Sequence, residues 1–127
     1  MEERLVMTTE RFVALTPYAS RFPFEIWVLP RDHASHYETL TEADSEDLAF
    51  LLNRVLRRLE RALNHPPYNF MVHTSPFSAD PLEHFHWHIE IIPRVTRTAG
   101  FEWGTGFYIN PVAPESAAEY LRKTPDE

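Results

Sequence analysis

The run His84-Phe85-His86-Trp87-His88-Ile89-Glu90 sets three imidazoles and a carboxylate at alternate positions, with large apolar residues between them. Successive side chains of a strand point to opposite faces, and same-face neighbours stand about 6.6 Å apart. The spacing therefore predicts a strand from about His84 to Val95. One face would carry His84, His86, His88 and Glu90, and the other would bury Phe85, Trp87, Ile89 and Ile91. Two chemistries fit such a face. Imidazoles and a carboxylate can chelate a metal ion, with His73 on a preceding strand completing the shell beside Glu90. Alternatively, one imidazole attacks phosphorus and carries a nucleotidyl group while its neighbours fix its tautomer and hold phosphate oxygens. A polar strand face without function is the third reading, and three histidines plus a carboxylate backed by an apolar face weigh against it.

The elements that must position this run are partly legible. The segments 11–20 and 24–29 are short, aromatic and β-branched, and Arg21-Phe22-Pro23 between them predicts two strands joined by a turn or short loop. Thr41-x-x-Asp44 resembles a capping box. Leu48, Leu51, Leu52, Val55, Leu59, Ala62 and Leu63 then recur at helical spacing until His65-Pro66-Pro67 stops the helix, since proline lacks the backbone donor. The other helix face carries Asp47, Arg54, Arg57, Arg58 and Arg61, expected to be solvated rather than to bind phosphate. Tyr68 to Thr74 reads as a third strand, Ser75 to Glu83 as a polar loop, and Pro114-Glu115 opens a short helix through Leu121. Trp27 and Trp87 are expected in the core. His33 and His36 are expected at the surface, and His65 at the helix C-terminus where the dipole favours it.

Composition narrows the function. The 127 residues suffice for one core and are read as a single domain. No cysteine is present, so a metal must be held by histidine and carboxylate, and a cytoplasmic setting is expected. With 19 acidic against 12 basic residues, net charge −7, a nucleic-acid partner is not expected. There is no apolar leader and no run of about 18 apolar residues, so neither secretion nor a membrane span has a signal.

The residues also carry a resemblance. His84 to Glu90 is similar to the His-φ-His-φ-His-φ-φ signature of the histidine-triad (HIT) superfamily, with Glu90 in place of the last apolar residue. Phe12 to Ser20, Phe22 to Trp27, Leu29-Pro30-Arg31, Ile91-Ile92-Pro93-Arg94 and Gly100 to Gly106 resemble the second half of galactose-1-phosphate uridylyltransferases. The likeness covers about residues 10–122. It implies an α+β, HIT-like fold: an antiparallel sheet of about five strands, one long helix over 41–64 and a short C-terminal helix.

Those enzymes pass a uridylyl group between UDP-glucose and hexose 1-phosphate through a covalent uridylyl-histidine. Their nucleophile lies in the first half, in a His-Pro-His motif, and this chain has none. The resemblance thus implies a C-terminal domain that contributes metal and sugar-phosphate contacts and is inactive by itself. It implies one zinc or iron on His73, His88 and Glu90, with His84 a further candidate; Glu90 stands where the family places histidine. It also implies a sugar-contacting loop at Phe101, Glu102, Trp103, Gly104, Thr105 and Gly106, together with Asn110. Partners would be a nucleotide sugar or sugar phosphate, and either a second copy of the chain or an N-terminal HIT half.

Two alternatives stay open. In stand-alone HIT hydrolases and transferases the middle histidine attacks phosphorus, which makes His86 the nucleophile of a self-sufficient enzyme. Against this, Ala79-Asp80-Pro81-Leu82-Glu83 replaces their phosphate-gripping Gly-Gln-Ser/Thr segment, and its carboxylates would repel phosphate. The other alternative is a non-catalytic module whose histidine face holds metal for structure.

Overall fold

The capping box at Thr41 sets the start of the longest element, helix α1 (Glu42–Leu63). Thr41 Oγ1 accepts from the Asp44 N–H at 3.1 Å, and Asp44 Oδ2 accepts from the Thr41 N–H at 3.0 Å, so two otherwise orphaned backbone donors are satisfied. The helix ends at Asn64 and His65, both left-handed at φ 58° and 54°, ahead of Pro66-Pro67. Leu48, Leu51, Val55 and Leu59 are buried along one stripe, each worth about 1.5–3 kcal/mol of burial. Thr41→Ala is expected to cost about 1 kcal/mol in urea unfolding at neutral pH. The backbone N–H of Thr41, followed by the Arg11 guanidinium, holds the Asp44 carboxyl below the usual carboxylate range. A depressed pKa stabilises the fold above the ordinary carboxylate pKa, and that contribution fades as pH falls through the folded value. Thr41→Ala keeps that N–H and Arg11, so both proteins should lose this contribution in acid and the difference between them should change little.

The second layer is a five-stranded sheet among the described residues, which are 2–32, 34, 36–75, 86–94 and 112–126 of this computed structural model. Its strands are β1 (Leu5–Thr8), β2 (Phe12–Leu15), β3 (Ile26–Pro30), β4 (Tyr68–His73) and β5 (His88–Pro93). They lie in the order β1-β2-β3-β5-β4, each pair antiparallel. Phe12, Ala14, Ile26, Val28, Ile89 and Ile91 join the α1 stripe and Trp87 in one core. By strand alternation, Trp27, His88 and Glu90 therefore occupy the sheet face away from α1. Helix α2 (Pro114–Lys123) opens on Pro114 in its first turn and ends on Arg122 and Lys123, complementing its dipole. It buries Ala117, Ala118 and Leu121. Among the described residues, no helix is long and apolar enough to cross a membrane.

Several expectations are corrected. Among the described residues the histidine strand is paired over His88–Pro93, His86 and Trp87 precede that ladder, and His84, Phe85 and Val95 lie outside the described residues. The connection between β2 and β3 spans residues 16–25 and is no tight turn. Strand β1, a short run after an acidic start, carried no readable periodicity. The α1 face expected to be solvated instead clasps other segments. Asp47 Oδ2 accepts from Thr9 Oγ1 at 2.7 Å and the Arg11 N–H at 3.0 Å. Arg54 and Arg58 meet Asp126 at 3.4 and 3.5 Å, while Arg57 and Arg61 are exposed.

Candidate metal centre

Strand β5 lies between β3 and β4, so its outward side chains are met from both sides. Glu90 stands opposite Trp27 in β3 and Met71 in β4, and His88 stands opposite His73. Directly paired residues bring same-face side chains within reach of one another. His73 Nε2 lies 2.7 Å from Glu90 Oε2, and His88 Nε2 lies 3.6 Å from Glu90 Oε1. One ligand atom from each of the three falls within 4.8 Å of the others.

Burial makes the cluster more than a surface coincidence. Glu90 is 5% exposed, and a carboxylate so placed needs a cation or hydrogen-bond donors. His73 supplies a donor, and Arg21 Nη2, on a side chain nearly half exposed, stands 3.8 Å from Oε2. Two imidazole nitrogens and a carboxylate form a donor set suited to zinc or iron, so the residues present fit such an ion.

The surrounding hydrogen bonds fix tautomers, because a carbonyl oxygen can only accept. The contact of 3.3 Å from His88 Nδ1 to the His86 carbonyl puts the proton on Nδ1 and leaves the Nε2 lone pair on the side of Glu90. His86 donates Nε2–H to the Pro30 carbonyl at 2.8 Å. Its ring nitrogen thus engages the end of β3, and His86 is not among the three groups that converge with Glu90.

The rings form a column across three strands. The indole of Trp27 stacks on His88 with centroids 4.4 Å apart and planes at 21°, and His88 stacks on His73 at 4.9 Å and 14°. Glu25, only 1% exposed, accepts from Trp27 Nε1 at 2.8 Å through one oxygen and from the Arg21 N–H at 3.1 Å through the other.

Of the expected site residues, the structure brings together His73, His88 and Glu90 and sets His86 apart on Pro30. His84, Phe101, Glu102, Trp103, Gly104, Thr105, Gly106 and Asn110 lie outside the described residues, as does His33. His36, expected at the surface, is buried, with its neighbours Ala34, Tyr37 and Leu40 packed against the core. Tyr37 N–H donates to Thr74 Oγ1 at 2.8 Å, and Trp87 N–H donates to the Ala34 carbonyl at 2.9 Å. Trp27, expected in the core, lies half-buried on the other face, against the metal-ligand candidates. Sequence reasoning missed Glu25, Arg21 and the role of Trp27. The one available signal was a carboxylate in the aromatic run Phe22-Pro23-Phe24-Glu25-Ile26-Trp27.

Residues 1–125 match the family described as galactose-1-phosphate uridyl transferase, C-terminal domain. An ADP-glucose phosphorylase of Arabidopsis thaliana is 44% identical over 117 residues, 91% of this chain and 33% of that protein. A crystal structure of an ADP-glucose phosphorylase from Arabidopsis thaliana with bound ADP-glucose superposes with a TM-score of 0.90 at 42% identity, over 94% of this chain and 40% of that one. The galactose-1-phosphate uridylyltransferase of Thermotoga maritima is 35% identical, over 97% of this chain and 41% of that protein. A hypothetical histidine triad nucleotide-binding protein from Sulfolobus tokodaii shares the fold alone, with a TM-score of 0.68 at 16% identity over 94% of this chain and 81% of that one. The chain thus spans about a quarter to two fifths of the length of the curated relatives it matches. An α+β, HIT-like sheet and a match along nearly its whole length make this chain a member of the galactose-1-phosphate uridyl transferase C-terminal domain family.

Proposed function

We propose that the chain is a single HIT-like domain serving as the C-terminal part of a cytoplasmic nucleotidyltransferase that works between a nucleotide sugar and a hexose 1-phosphate. The observation that carries this reading is the convergence of His73, His88 and Glu90 in a chain matched along its length by that family. In this role His73, His88 and Glu90 hold one zinc or iron ion. The bound ion would supply a fixed positive charge that neutralises Glu90 and ties β4 to β5. His88 offers its Nε2 lone pair, while His73 gives up the Nε2 proton it otherwise donates to Glu90. The segment Phe101 to Gly106, with Asn110, contributes the sugar-phosphate contacts.

Among the described residues strand β4 ends the sheet, and Phe70, Met71 and Val72 on it are exposed. Such an edge suits pairing with a second copy or with an N-terminal HIT half. The reaction itself is assigned to the assembled enzyme and not to this chain alone. His86 Nε2–H is committed to the Pro30 carbonyl, which is support for that assignment. A second reading, with ADP-glucose in place of UDP-glucose, is favoured by the higher identity to the Arabidopsis thaliana phosphorylase, 44% against 35%.

Incubating the chain with UDP-glucose and ADP-glucose, each labelled in its α-phosphate, tests the assignment. No label should remain on protein after denaturation, and His86→Ala should change nothing. A phosphoramidate lost in His86→Ala would overturn it in favour of a self-sufficient enzyme.

A further inference from the structure

The metal-ligand candidates differ in how firmly they are held. His73 sits on the edge strand with its side chain 45% exposed, whereas His88 is closed between two rings and is 16% exposed. A ligand imidazole must present its nitrogen in the ring plane, so whatever fixes that plane governs affinity. For His88 the plane is set by Trp27, whose indole covers one side at 4.4 Å.

The indole is in turn anchored. Its Nε1–H is taken by the buried Glu25 carboxylate at 2.8 Å, and that carboxylate is tied by its other oxygen to the Arg21 N–H. Phe24, just before Glu25, holds a left-handed backbone at φ 61°. This is a conformation that a bulky residue keeps only where surrounding contacts demand it. Residues 21–25 thus turn Glu25 inward beneath Trp27. A core role does not explain the arrangement, since Trp27 faces away from α1. It lines a hollow of about 250 Å³ with Arg4, Leu15, Pro17, Tyr18 and Leu29.

We infer that Trp27, anchored by Glu25, is a positioning residue for the metal centre: its indole locks the ring plane of His88 so that Nε2 is presented in advance to the ion. This inference rests on His73, His88 and Glu90 being metal ligands. Nothing in the histidine motif itself points to it, because Trp27 lies on another strand.

The test is zinc affinity of the 127-residue chain by competition with a chromophoric chelator, for wild type, Trp27→Leu and Trp27→Phe. Trp27→Leu widens an existing hollow and is expected to fold. Its zinc affinity should fall about tenfold or more, the usual effect of losing a group that orients a ligand. Trp27→Phe keeps a ring over His88 and should recover most of the loss, while the melting temperatures of the two metal-free variants stay alike. Equal affinity of Trp27→Leu and wild type, or an equal loss in both variants, overturns the positioning role. Wild type with no zinc affinity overturns the metal reading instead, and the positioning role with it.

A second measurement needs neither metal nor variants. In the metal-free chain, the ring protons of His88 should be shifted upfield by the indole in the NMR spectrum, and unshifted resonances would overturn the stack.

Discussion

Replacing Trp87 by alanine is expected to destabilise the fold by about 3–5 kcal/mol, a large share of the roughly 5–15 kcal/mol that holds a domain together. Trp87 is fully buried, packs on Phe12 at 6.0 Å and meets Tyr37 edge-on at 5.0 Å. It is thus where β2, the segment before α1 and the entry to β5 join. Its backbone N–H also donates to Ala34, which a side-chain truncation leaves in place. Trp87→Phe should cost much less. Trp87 Nε1 is buried with no hydrogen-bond partner among the described residues, so phenylalanine loses volume but also sheds an unmatched donor. Urea midpoints at unchanged slope decide the matter. Equal losses for Ala and Phe would mean that the indole N–H contributes to stability after all.

His88→Ala is expected to abolish metal binding. Wild-type chain, tag-free and analysed by mass spectrometry, should carry about one zinc or iron per chain, and the variant should carry next to none. Among the described residues three ligand groups converge, and His88 is the one already caged by rings and aimed at Glu90. Without metal, the variant should unfold close to wild type, since His88 makes a long Nδ1 bond and ring stacks on half-exposed neighbours, outside the apolar core. With zinc at about a hundred times its dissociation constant, wild type alone should gain about 2.7 kcal/mol. Retention of a full equivalent by His88→Ala would move the centre away from β5.

The sequence announced the parts of this fold whose cause is local. The capping box needs only Thr41 and Asp44, and the α1 stripe needs only apolar residues at helical spacing; both stand as expected. Within the ladder, alternation correctly separates Ile89 and Ile91 from His88 and Glu90. One step earlier it still puts Trp87 in the core, but His86, ahead of the paired stretch, is turned to the Pro30 carbonyl and not to Glu90. What no local pattern could convey is cross-strand traffic. That Trp27 lies on the face away from α1, that Glu25 turns inward and that His36 is covered all depend on which strands become neighbours. His73 entered the candidate site through the family resemblance and the histidine-strand chemistry, since the residues around it carry no signal of their own.

The pairing of His73 with His88 closes the β4–β5 ladder at one end. An edge strand is held by a single neighbour, and sliding it by one residue would exchange its two faces. His73 would then point toward α1, and Val72 would take its place beside the carboxylate. An ion shared by the two strands is compatible with one alignment alone, so the centre would act as a proofreader of how the last strand is laid down.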